Sequence, residues 1–227
     1  MLIPLKSDEP TEKPPIVTVM LIIANISVFI YQQFSLVAYH RDLAAIYGAI
    51  PFELTHFVDL PPRSPHPFFL SIFTYMFLHG GYLHIIGNML YFFAFAANIE
   101  NIVGHFKFLI FYILCGVVAA IVYAIPNFNS QIPMVGASGA IAGIMGAHLR
   151  ALPGWHIRCL LLIFPVSLRA FWVLIPWILI QIYNVMTQGQ SNIAFIAHIG
   201  GFLFGMLAIG VFRERWLFDR QRSTTYL

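Results

Sequence analysis

Apolar residues in this chain of 227 residues fall in long runs, not in the short alternations of half-buried strands. Six runs are predicted to be helices, at about 16–38, 82–98, 106–125, 136–151, 171–186 and 193–212. A helix needs about 20 mostly apolar residues to cross a bilayer. The fourth run is short and rich in Gly and Ala. It can cross only if its ends lie among protein or water rather than lipid. The absence of strict alternation argues against a β-barrel.

The stretches between the runs differ in character. Residues 1–15 are a short polar tail with Lys6, Lys13 and four prolines. Residues 39–67 form a long mixed loop, whose Phe57, with Phe68 and Phe69 just beyond it, suits a membrane interface. A short helix over Phe68–Phe77 is expected to lead into the second span. Glu100 to His105 reads as a polar turn, 126–134 as a loop, 152–170 as a mixed connection, and Thr187 to Asn192 as a brief polar loop that could cover a site. Residues 213–227 form a basic tail. The predicted organisation is therefore a tail (1–15), one membrane domain (16–212) and a second tail (213–227).

Composition strengthens this reading. The chain is 59% hydrophobic and 9% charged, with mean hydropathy +0.81, so a soluble domain could not hide its apolar surface. The class expected is an all-α polytopic membrane protein. No cleavable secretory pattern is recognised, so the first run is expected to remain. Cys115 and Cys159 lie in or beside apolar segments and read as small buried hydrophobes, not as a disulfide or metal pair. Charge sets the orientation. Six spans put both termini on one side, together with Lys6, Lys13, Lys107, Arg150, Arg158, Arg169, Arg213, Arg215, Arg220 and Arg222. The other side receives only Arg41 and Arg63, so both termini are expected in the cytoplasm.

That parity places four unusual polar groups at one depth. Spans two, four and six all start from the outer side. Near those ends they carry His84 with Asn88, Ser138, and His198. Ionisable groups inside a bilayer are costly and usually face a bundle interior or a water-filled cavity. His84 and Asn88, four apart, share a helix face, as do His198, Gly201 and Gly205. Gly139, Gly143 and Gly146 give the fourth span a small-residue surface, so helices four and six are expected to approach closely and bring His198 within reach of Ser138. A serine hydroxyl needs a neighbouring base, and imidazole suits that role. The Ser138 amide opens a helix, where free N–H groups and the dipole favour an anion. His84 and Asn88 can add donors. With no Asp or Glu inside any predicted span, a Ser–His dyad is the simplest arrangement. On the residues alone, Ser138 could instead be a small residue at a helix crossing, and the polar cluster a transport path. Zinc fits poorly because His-Glu-x-x-His is absent.

His79-x-x-x-x-His84-x-x-x-Asn88, Gly136-Ala137-Ser138-Gly139 and Ala197-His198-Ile199-Gly200-Gly201 with Gly205 together resemble the rhomboid family of intramembrane serine proteases. The resemblance spans nearly all of residues 16–212. It implies a six-transmembrane-helix bundle that cleaves peptide bonds in or near transmembrane segments of other proteins. Ser138 would be the nucleophile and His198 the general base. His84, Asn88 and the Ser138 backbone N–H would form the oxyanion hole, with His79 structural and Gly136, Gly139, Gly201 and Gly205 shaping the site. The partners implied are transmembrane substrates and the lipid bilayer, with no cofactor, metal or nucleic acid. A catalytically silent relative that binds membrane clients is the alternative. Two departures from the family stand out. Ala142 occupies a position where some members stack a tyrosine on the histidine, so another group must pack there. The first loop also lacks the Trp-Arg pair of many members. A bacterial or archaeal plasma membrane is expected, with the site toward the outer face.

Overall fold

The computed structural model describes residues 2–39, 42–61, 66–188 and 194–212. Among these, five helices are long and apolar enough to cross a membrane: α1 (Ile16–Tyr39), α5 (Tyr82–Val103), α6 (His105–Ala124), α8 (Ala170–Gln188) and α9 (Ala194–Phe212). Between α6 and α8 lies α7 (Ser138–Ala151), a 14-residue helix packed on α5, α6 and α9. Eleven of its residues are buried, which is how a helix this short sits in an apolar bundle: protein surrounds its ends. The chain is therefore a mostly helical membrane bundle, with bounds close to those expected from hydropathy.

Small residues dictate how α7 meets α9. A Cβ on Gly201 would overlap the Gly139 carbonyl oxygen, and one on Gly205 would overlap that of Gly143. The two backbones touch directly, as small-xxx-small faces allow. Residues 42–61 and 66–77 cover one end of the bundle. They form α2 (Leu43–Tyr47), capped by Asp42 accepting from the Ala44 N–H at 2.9 Å, then α3 (Pro51–His56) and α4 (Ser71–Thr74) with a 3-10 turn on either side. An Ala49–Met134 bridge ties this segment to the loop before α7.

Two stretches depart from the sequence expectation. The expected Glu100–His105 turn is mostly helix: α5 runs on to Val103, and Gly104, at φ +80°, alone separates it from α6. The cause is Glu100. It lies inside a span, 1% exposed, and its carboxylate accepts from Val17 N–H (2.9 Å), Thr18 N–H (2.8 Å) and the Thr18 hydroxyl (2.6 Å). A carboxylate at the N-terminus of α1 satisfies donors the helix cannot, and it favours the helix dipole. His105 pairs with the same carboxylate. Thr18 belongs to a stripe with Asn25 and Gln32, seven residues apart and all buried. Gln32 clamps the His79 backbone from both sides, at 2.9 and 3.1 Å.

The second departure is a sheet. Leu2–Ser7 (β1), within the expected tail, pairs antiparallel with His156–Leu161 (β2), which pairs with Phe164–Arg169 (β3) in the expected connection. A register irregularity follows Pro4, which has no N–H to give the ladder. Arg158 joins Asp8 across it at 2.6 Å. Basic residues gather at this end of the bundle: Lys6, Arg158 and Arg169 on the strands, Lys13 with its N–H on Asn101 of α5, Lys107 in the first turn of α6 and Arg150 in the last turn of α7. Cys115 and Cys159 are free and buried, as expected. Arg41, Arg63, the tail at 213–227 and residues 189–192 of the expected covering loop lie outside the described residues.

Candidate active site

The loop entering α7 is pinned by the Gly136 N–H, which donates to the Tyr75 carbonyl at 2.9 Å. Gly136 then turns with φ +123°, a conformation that favours glycine. Its bare Cα also lets the loop approach His84, since a Cβ there would sit 2.7 Å from His84 Nε2. Ser138 follows as the first residue of α7. Ala137 before it offers no side-chain cap, so the helix N-terminal amides stay free for another acceptor.

His84, Asn88, Ser138 and His198 come together on one cavity of about 280 Å³, lined otherwise by Leu83, Gly87, Tyr91, Ile141, Met145 and Trp177. Three helices thus deliver the four polar groups, as the parity argument expected. His84 Nδ1 accepts from the Gly80 N–H at 3.2 Å, so its proton belongs on Nε2, the nitrogen beside Gly136. Asn88 is 8% exposed, and its Nδ2 has no hydrogen-bond partner. Two side-chain donors and a helix N-terminus therefore border the serine with capacity to spare.

His198 is held from the other side. Its Nδ1 lies 2.9 Å from Gln181 Oε1 on α8, and its ring tilts against Trp177, centroid to centroid 5.8 Å. Phe195 adds an edge contact at 6.4 Å. These residues answer the question raised by Ala142: the aromatic arrives from α8 rather than from α7. His198 Nε2 makes no hydrogen bond, so the expected bond to Ser138 is not formed in this state. Catalytic hydrogen bonds often tighten only with substrate. His79 is fully buried behind His84, ring centroids 5.2 Å apart, with its backbone held by Gln32. Gly139, Gly201 and Gly205 lie at the α7–α9 contact.

Gln181 and Trp177 were missed from sequence. A signal existed: Gln181 is a glutamine within an apolar run, one helical turn from a tryptophan, and polar groups within a span call for an explanation. His148 is fully buried on α7 with its ring edge-on to Phe95.

Residues 67–215, or 149 of 227, match the profile of the Rhomboid domain. The chain belongs to the rhomboid family. Among curated relatives, "RHOMBOID-like protein 5" of Arabidopsis thaliana is 29% identical over 134 residues, covering 57% of this chain and 40% of that protein. "RHOMBOID-like protein 6, mitochondrial", also of Arabidopsis thaliana, is 32% identical over 141 residues, 59% of this chain and 40% of that one. "Putative rhomboid protease YdcA" of Bacillus subtilis is 30% identical over 149 residues, 61% of this chain and 66% of that one. The match spans about two-fifths of the plant rhomboids' length. All three motif stretches, from His79 to Gly205, fall inside the profile match.

Proposed function

We propose that this rhomboid is an intramembrane serine endopeptidase that hydrolyses peptide bonds in or near transmembrane segments of other membrane proteins. The observation that carries the reading is the convergence of Ser138, His198, His84 and Asn88 on one cavity, with Asn88 Nδ2 and His198 Nε2 unpartnered. Ser138 Oγ attacks the scissile carbonyl carbon while its proton passes to His198 Nε2. The carbonyl oxygen becomes an oxyanion that accepts from His84 Nε2–H, Asn88 Nδ2–H and the Ser138 N–H. Such donors are each worth roughly 3–4 kcal/mol. His198 then gives its proton to the leaving amine. Water, deprotonated by His198, cleaves the acyl-enzyme and restores Ser138.

The cavity walls suggest the approach. Leu83, Gly87 and Tyr91 come from α5 and Trp177 from α8, two helices that scarcely touch, so a substrate helix enters laterally between them. It must unwind to present an extended segment, so small or helix-breaking residues near the cut are favoured. The basic end of the bundle belongs in the cytoplasm, with six spans and the site toward the opposite face. The relatives come from plants, a bacterium and animal mitochondria, so they point to no one organelle.

The test is cleavage of a panel of single-span reporter proteins, with products mapped by mass spectrometry. Wild type cuts and Ser138→Ala does not; equal cleavage by both refutes the assignment. The unmade Ser138–His198 bond favours one second reading, a silent rhomboid that binds membrane clients. Labelling of Ser138 by a fluorophosphonate, lost in His198→Ala, excludes it.

A further inference from the structure

Gln181 is 6% exposed on α8, following the apolar run from Trp177 to Ile180. Its amide orientation follows from its neighbours: Nε2 donates to the Trp177 carbonyl one turn back, at 3.3 Å, where an amide oxygen would meet another acceptor. Oε1 is therefore the atom facing His198 Nδ1 at 2.9 Å. An amide oxygen only accepts, so Nδ1 carries the proton and Nε2 is left with its lone pair. Nε2 is also the ring nitrogen with no partner.

We propose that Gln181 is a positioning residue for His198, holding it in the one tautomer that can take a proton from Ser138. This rests on the protease reading for its consequence, though the tether itself does not. Among the described residues no carboxylate borders the cavity to orient the base, and the neutral amide takes that place. Its contribution grows during reaction. Once Nε2 gains the proton, Nδ1–H belongs to a cation, and charge-assisted hydrogen bonds are roughly twice as strong as neutral ones. An interaction stronger in the transition state than in the ground state accelerates the step. Only 22% of the most apolar stretch of α8 is buried, and this helix also flanks the lateral opening. The tether spans the two helices, so it exists only while α8 is docked on α9.

The test uses the full chain in detergent micelles and the rate of fluorophosphonate labelling at Ser138. Gln181→Met, similar in size but unable to accept, lowers the maximal labelling rate about tenfold (~1.4 kcal/mol) and leaves half-saturation unchanged. Gln181→Glu, which keeps an acceptor, restores most of that rate. Where Gln181→Met fails to fold, Gln181→Asn, a methylene too short to reach Nδ1, replaces it. If wild type is labelled and Gln181→Met matches it, the positioning role is overturned and the protease reading stands. If wild type is not labelled, the protease reading fails, and imidazole ¹⁵N spectra decide the tether. One Nδ1–H tautomer in wild type that becomes a mixture in Gln181→Met supports it; identical spectra overturn it.

Discussion

Glu100 makes a stability prediction that the structure lets us size. Replacing it with leucine removes one carboxylate and orphans the Val17 and Thr18 N–H groups and the Thr18 hydroxyl, the last two at buried positions. Each buried donor left unpaired costs about 1–3 kcal/mol. Loss of the charge at the N-terminus of α1 adds about 0.3–2 kcal/mol. Relief from burying a carboxylate offsets part of this, so the net loss is about 3–5 kcal/mol, as for other buried pairs broken on one side. For a chain of this size that lowers the unfolding midpoint by roughly 6–20 °C. Cys115 and Cys159 are buried and free, so a thiol-reactive dye during a thermal ramp in detergent reports the transition. Glu100→Gln keeps one acceptor but turns an amide N–H toward other donors, so its midpoint falls between the two. A leucine variant within about 2 °C of wild type would refute the cap.

Gly136→Ala places a methyl against His84 Nε2 and asks alanine to hold φ +123°. Labelling at Ser138 should fall about 100-fold, as expected of an ångström-scale misplacement, and an undiminished rate would show that the loop yields. Burial pushes the Glu9 carboxyl, outside the spans, up to about 7 from an ordinary 4.5. A raised carboxyl pKa costs the fold nothing below about pH 4.5, an increasing amount up to about pH 7, and a constant amount above. Glu9→Gln should therefore raise the midpoint at pH 8 and leave it unchanged at pH 4; an equal shift at both would remove ionisation as the cause.

The spans were legible because hydropathy is local: each helix satisfies its own backbone, so a run of apolar side chains suffices to announce it. His84 with Asn88, and His198 with Gly201 and Gly205, were legible because helical spacing puts them on shared faces and parity gives them a common depth. Glu100 was read as part of a turn because a carboxylate inside a span is costly, and the donors that accommodate it lie more than 80 residues away on α1. The β1–β2 pairing joins residues 150 or more positions apart. In β2 the alternation of His156, Ile157, Arg158 and Cys159 is visible, but the apolar run from Leu160 to Phe164 hides it.

From the sequence alone came the membrane class, the helix bounds, the nucleophile and base candidates and the glycine faces that let α7 and α9 touch. Those follow from composition and periodicity, which act within a single helix. The tertiary structure decided what stands behind His198. Ala142 offers no ring from α7, and Trp177 and Gln181 hold His198 from α8. No property of α8 in isolation states which way the buried Gln181 points. That depends on how α8 leans on α9, which is settled by packing between helices distant in sequence.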